Sequence, residues 1–374
     1  MAIPEQFEGL IVVKVGSSTL TADDGSVDES YISTLCEQVA ELHALGHPVV
    51  VVTSGAAAAG RSRLGFASRP SDIPSLQACA AAGQAALTEA YAKELANRGI
   101  ACGQVLLTRR DVVDREGYLN ARNTLFRLLD LGAVPVVNEN DTVSVAEFTF
   151  GDNDMLGAIV SALVGASLYV ILSDVDGLYT ADPTTHEDAE LIRTVRVIDK
   201  RIARMAGGAG SSVGTGGMAS KIRAARATLA AGVPLVICHG RKDHVLVDAV
   251  QGKGVGTLFC NDTSHVHGSG RKLWIGLAEV PHGSVVVDAG ASRAIVADGA
   301  SLLPVGVRST SGTYEEGDVI SIVDEQGTEL ARGVTRYSSD DMVRVRGLKL
   351  DVIERFLPSK EGQPAVHRDE MLVF

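Results

Sequence analysis

Two lysines stand where the surrounding pattern makes lysine costly. Lys14 interrupts the β-branched run Ile11–Val15 and is followed at once by Gly16, Ser17 and Ser18. Such a run reads as a strand buried on both faces, where an ammonium needs a partner. An edge-strand lysine reaching water along its own stem would account for Lys14 by itself. The Gly-Ser-Ser that follows favours an anion, because glycine lets backbone approach a ligand and the serines add hydroxyls beside exposed amides. Lys221 lies about one turn into a helical pattern that opens on Gly214, Thr215, Gly216, Gly217 and Met218. Glycine-rich backbone at a helix N-terminus presents free amides and the positive end of the dipole to phosphate. Two cations from distant parts of the chain can converge on one phosphoryl group, whose transfer needs mostly positioning and positive charge.

Acids and amides gather in a second place. Asn138–Asp141 and Phe150–Asp154 bring four carboxyl groups and three asparagines into seventeen residues. Residues of these types often only cap helices, and Asp152 suits that task, but a cap does not need Asn153 and Asp154 as well. Carboxylates beside amides suit a zwitterion, its ammonium meeting Asp141 and its carboxylate meeting Asn153 and Ser54. None of the nine histidines falls within these motifs. That is expected for a carboxylate nucleophile, which is ionised at pH 7 and needs no general base. His265–His267 lacks the further ligands of a metal site, and no metal-binding residue is assigned. A Walker loop is missing, as is a strand followed by Gly-x-Gly-x-x-Gly. Gly252–Thr257 looks like a phosphate loop but precedes no helical pattern, so it reads as a turn.

To hold these residues together the chain needs strands that end side by side. Up to about residue 266, strand-like and helix-like segments alternate, which predicts a three-layer α/β domain with a mainly parallel sheet. Lys14–Ser18, Thr53–Ala56, Asn138–Asp141 and Leu172–Gly177 each sit at the end of an apolar run, where ligands of such sheets gather. Beyond it come short alternating segments, including Met342–Gly347, that predict a small β-rich domain. The expected divisions are a catalytic domain over 1–266, a linker over 267–276, the small domain over 277–360 and a C-terminal tail over 361–374.

The 374 residues, 45% apolar and 21% charged, are those of a globular chain. Apolar runs stop well short of membrane-spanning length, and the N-terminus shows no secretory pattern, so a cytoplasmic protein is expected. Five scattered cysteines form no redox or zinc motif and read as buried thiols. A net charge of −12 argues against broad nucleic-acid or membrane binding.

In this order, Lys14–Ser18, Thr53–Ala56, Tyr118–Thr124, Val134–Val143, Phe150–Asp154, Leu172–Tyr179 and Gly214–Lys221 resemble the glutamate 5-kinases of the amino acid kinase family. Asp288–Val307 resembles the opening of the PUA domain that their long form carries. The resemblance implies an amino acid kinase fold, ATP as co-substrate with Mg2+, and phosphorylation of L-glutamate on its side-chain carboxylate as the first step of proline biosynthesis. It implies that Lys14 and Lys221 stabilise the transferring phosphoryl and that Asp154 orients them. Ser54, Gly55, Asp141 and Asn153 would hold glutamate. Lys14, Gly16, Ser173, Asp174, Thr215, Gly216, Gly217, Met218 and Lys221 would contact ATP. Proline as feedback inhibitor and a homodimer or tetramer are further implications. The alternatives are a kinase for acetylglutamate or aspartate, and an RNA-binding PUA protein. Twelve acidic against seven basic residues from Leu277 to Asp351 give −5, which is poor for phosphate-backbone binding.

Overall fold

The computed structural model describes residues 6–22, 26–108, 111–112, 114–144, 153–205, 217–261 and 281–373. The chain divides into two compact units, Met1–His265 and Val266–Phe374. The expected linker over 267–276 lies outside the described residues, as do Asp152, Thr215, Gly216 and His265–His267.

The first unit is built on an eight-stranded sheet. Its strands are β1 (Ile11–Val15), β2 (Val49–Val52), β3 (Cys102–Leu107), β4 (Val134–Glu139), β5 (Leu168–Ser173), β6 (Thr194–Val195), β7 (Leu235–His239) and β8 (Thr257–Phe259). They lie in the order β3, β4, β2, β1, β5, β7, β8, β6. Every neighbouring pair is parallel except β7 and β8. The helices are α1 (Ser17–Leu20), α2 (Glu29–Ala44), α3 (Ala56–Arg63), α4 (Ile73–Ala96), α5 (Arg115–Asp130), α6 (Asn153–Val164), α7 (Lys200–Met205), α8 (Met218–Ala230) and α9 (Val245–Val250). Several start where the sequence supplies a carboxylate cap. Asp28 accepts from the Tyr31 N–H, Asp72 from that of Ser75, and Asp114 from that of Gly117.

Alternation along the strands sorts side chains to two faces. Val13, Val15, Val49, Val51, Val136, Val170 and Val236 pack with α2, α4 and α9 in one core. Lys14 takes the opposite phase, toward α6. Its neighbours in register are Val52 on β2 and Ile171 on β5, so it sits at the centre of the sheet and not on an edge. Gly252, Gly254 and Gly256 all have positive φ and lead into β8 with no helix after them, so this segment is a turn.

Helices α3 and α4 approach backbone to backbone because each carries a glycine at the crossing. A Cβ on Gly83 would stand 1.8 Å from the Ala56 carbonyl oxygen, and one on Gly60 would stand 1.8 Å from that of Cys79. These obstacles are backbone, which cannot swing aside.

The second unit is a five-stranded sheet, β9 (Gly283–Val287), β10 (Val307–Gly312), β11 (Val319–Val323), β12 (Glu329–Thr335) and β13 (Val366–Val373), in the order β10, β9, β11, β12, β13. Only the β9–β11 pair is parallel. Its core is its own, with Val285, Ile320, Ile322, Tyr314, Tyr337, Met342 and Met371 among the buried residues. Two expectations are corrected here. The segment read as a tail over 361–374 contributes β13, an edge strand paired with β12. Met342–Gly347, whose alternation suggested a strand, belongs mostly to a helix over Ser339–Val345. Ser338 caps it by accepting from the Asp341 N–H, and Asp340 and Asp341 place negative charge in its first turn. No helix among the described residues is long and apolar enough to cross a membrane.

Gly83→Ala is expected to destabilise the first unit by about 1–3 kcal/mol or more through overpacking. A thermal melt reads the effect, and an unchanged midpoint would show that the crossing can spread at no cost.

Candidate active site

Strand ends set this site. Lys14 reaches from β1 to Asp154, its Nζ 2.5 Å from Oδ1. Lys221, in the first turn of α8, places its Nζ 3.3 Å from Oδ2 of the same carboxylate. The Ser220 hydroxyl donates to Oδ2 at 2.6 Å. All four side chains are buried, Asp154 completely. Burial pushes the Asp154 carboxyl upward, but the charges of Lys14 and Lys221, with hydrogen bonds from Lys14 and Ser220, outweigh it and hold the group below its ordinary value. Asp154 is therefore an ionised anchor, not a proton acceptor.

The elements around this trio expose hydrogen-bond donors. Gly16 precedes α1; its own N–H donates to the Leu172 carbonyl at 3.3 Å, and a Cβ there would stand 3.9 Å from Lys14 Nζ. At the N-terminus of α8, Gly217 is the capping residue and supplies no side-chain bond to the first amides; Met218 follows it. Among the nucleotide-binding candidates, Ser173 ends β5 and its hydroxyl donates to Asp174 at 3.0 Å, with Asp174 exposed.

A second cluster lies beside the first, at the ends of β2 and β4. Ser54 follows β2, and its hydroxyl donates to the Val15 carbonyl at 2.6 Å. Gly55 then turns the chain into α3 at φ 88°, a conformation that favours glycine. The Asn153 amide donates to the Thr53 carbonyl at 2.5 Å and to Asn138 Oδ1 at 2.7 Å. Asp141 is half-buried two residues past β4, and burial alone pushes its carboxyl up from the usual range. The expectation that Ser54 and Asn153 donate to a substrate carboxylate is revised, since the protein already uses these donors. Donors for a carboxylate here are the backbone N–H groups that open α3.

Sequence reasoning placed Asn138 and Ser220 inside its motifs without giving them a role, and it missed Gln84 and a cavity. The cavity, about 380 Å³, opens past the ends of β5 and β7 and is lined by Asp176, Tyr179, Arg193, His239, Lys242 and Gly254 among others. Lys242 Nζ stands 2.6 Å from Asp176 Oδ1, and the Tyr179 hydroxyl donates to Oδ2 at 3.2 Å. Asp176 and Tyr179 lie within Leu172–Tyr179, so the segment was singled out without its downstream half.

Comparison with known proteins places the chain. The amino acid kinase family profile matches residues 9–239, and that of the PUA domain matches residues 283–357. A glutamate 5-kinase from Trichlorobacter lovleyi is 46% identical over 363 residues, spanning 97% of this chain and 96% of that protein. The chain belongs to the glutamate 5-kinase branch of the amino acid kinase family. Glutamate 5-kinases from Geobacter sp. strain M21 and Escherichia fergusonii are each 44% identical over 97% of this chain, spanning 97% and 98% of their own lengths. In this chain, Lys14, Asp154 and Lys221 form one part of the site joined by ion pairs, and Lys242 with Asp176 forms another.

Removing the Asp154 charge strands two buried ammonium groups. Loss of one partner from a buried pair costs about 3–5 kcal/mol, so Asp154→Asn is expected to lower the melting temperature by about 10 °C. ADP is expected to raise the variant's melting temperature more than that of the parent, because phosphate replaces the missing charge. Equal melting temperatures for the two proteins would show that the carboxylate is not the anchor.

Proposed function

We propose that this chain transfers the terminal phosphoryl group of ATP to the side-chain carboxylate of L-glutamate, giving L-glutamyl 5-phosphate and ADP, the first step of proline biosynthesis. The observation that carries the reading is the pinning of Lys14 and Lys221 on one buried carboxylate, beside Asp141, a carboxyl that burial leaves without a described partner.

A glutamate carboxylate oxygen attacks phosphorus while the bond to the ADP oxygen breaks. No proton has to leave the nucleophile, which is ionised at neutral pH. Charge on the equatorial oxygens is met by the two ammonium groups, which Asp154 holds in place before substrate arrives, so little reorganisation is needed. The amides opening α8 and those near Gly16 suit phosphate oxygens. The cavity past β5 and β7 suits the base and ribose. Thr215 and Gly216 belong to the same nucleotide-binding proposal from the sequence alone.

Magnesium fits this arrangement as a companion of ATP. Among the described residues no group of three or more His, Cys, Asp or Glu converges as a metal site. Asp154 is committed to Lys14, Lys221 and Ser220. Magnesium keeps much of its shell as phosphate and water, and would supply further charge neutralisation. Proline as feedback inhibitor and a homodimer or tetramer belong to the same reading.

Turnover of ATP with glutamate, acetylglutamate or aspartate, trapping the acyl phosphate with hydroxylamine, tests the activity. Hydroxamate is expected with glutamate alone; a product only from another acceptor would refute the assignment.

Asp141 gives a separate test with a defined sign. Its pKa in the free protein is raised, so the ionised form carries a cost that sets in as pH rises through that pKa. Asp141→Asn is thus expected to raise the melting temperature at neutral pH while raising the glutamate KM, with proline inhibition weakened in parallel. In the parent protein the glutamate KM is expected to rise as pH falls through the Asp141 titration, and the variant should lose this dependence. A variant that is less stable, or that keeps the parent's KM, would remove Asp141 from ammonium recognition.

A further inference from the structure

One buried hydroxyl holds two stretches of chain beside the cavity. Thr257 opens β8 and is fully buried. Its hydroxyl donates to the Ile192 carbonyl at 2.6 Å and accepts from the Leu178 N–H at 2.8 Å. Both directions are fixed, because a backbone carbonyl only accepts, a backbone N–H only donates, and a hydroxyl has one proton to give. The chain runs directly over this oxygen, for a Cβ on Gly177 would stand 2.4 Å from it.

Leu178 and Ile192 belong to the two arms of one hairpin. The Ile192 N–H donates to the Leu178 carbonyl at 2.8 Å, the Thr180 N–H donates to that of Glu190 at 2.9 Å, and Tyr179 bridges antiparallel to Leu191. Tyr179 and Leu191 line the cavity past β5 and β7 from this hairpin. Gly254, Val255 and Gly256 line it from the glycine turn, which runs straight into Thr257. Arg193, just past the second arm, gives that arm another tie by donating to the Gly254 carbonyl at 3.0 Å. The first arm has no such reserve. Among the described residues, no hydrogen bond other than that to Thr257 joins Leu178–Thr180 to the turn or to β8.

We propose that Thr257 is a positioning residue for the nucleotide: its hydroxyl fastens both arms of the Leu178–Ile192 hairpin to the glycine turn and so sets the spacing between two walls of the cavity. Without it a buried N–H and a buried carbonyl lose their partner, and the arm carrying Tyr179 shifts to satisfy them. Three strands, β1, β5 and β7, separate β8 from β2, so the effect stays at the nucleotide end of the sheet. The inference rests on the reading of this cavity as the seat of the base and ribose of ATP.

Calorimetric titration with ADP, beside steady-state kinetics, tests it in Thr257→Val, Thr257→Ser and Lys242→Ala. Valine keeps the branching but forms neither bond, whereas serine keeps the hydroxyl. In the Val variant ADP affinity is expected to fall, and the ATP KM to rise, roughly tenfold, while kcat and the glutamate KM stay within about twofold. The Ser variant is expected to keep ADP affinity within about threefold of the parent. ADP binding that Lys242→Ala weakens and Thr257→Val leaves unchanged overturns the role of Thr257, as does a rise in glutamate KM as large as that for ATP. A Ser variant that binds ADP no better than Val also overturns it, and where the Val variant melts below the assay temperature a Ser variant with tenfold weaker ADP binding does the same. ADP affinity that neither Thr257→Val nor Lys242→Ala alters would instead place the nucleotide elsewhere and defeat the reading of the cavity.

Discussion

Two ammonium groups share one carboxylate beneath the centre of the sheet, and the rest of the first unit is arranged around that sharing. Lys14 could not remain in a central strand without it, since a buried ammonium needs a counter-charge within contact distance. Asp154 supplies it from the first turn of α6, and Lys221 comes to the same carboxylate from the first turn of α8. One ion cluster thereby pins two helix N-termini against the end of β1. The positive ends of those helices and the two lysines reinforce one another in a place with little water.

The parallel sheet makes the neighbouring arrangement possible. Its strands end on one side, so residues far apart in sequence, Ser54, Asn138, Asp141 and Ser173, come to one rim. Close packing then aligns them. The glycine crossing of α3 and α4 brings α4 near enough for Gln84, the residue after Gly83, to reach Asn138 on β4. A steric detail of two helices thus decides which side chain meets Asn138 at the rim.

Much of this was legible in the sequence because the informative residues are costly where they stand. Lys14 in a β-branched run and Lys221 behind a glycine-rich segment announce themselves, and the alternation of elements predicts the parallel sheet. Donor direction was not legible. Ser54 and Asn153 read as donors for a carboxylate until their partners, Val15 and Thr53 with Asn138, are known. Gln84 was hidden in an alanine-rich helix, where one amide looks like surface. Met342–Gly347 misled because its alternation outweighed the capping serine and acidic first turn that precede it. Val366–Val373 was read as a tail because it is short, polar in part and last in the chain, and pairing with β12 is a property of the sheet.

That last strand also bears on how the protein is made. Val366, Met371 and Leu372 are buried, and Val366 also bridges to Leu302 early in the second unit. Chains fold domain by domain as they emerge during synthesis, N-terminal part first. The described core of the first unit is in hand by Cys260 and can close while the ribosome is still translating. The second unit completes its sheet only once Val366–Val373 has emerged to pair with β12, so it closes after the first.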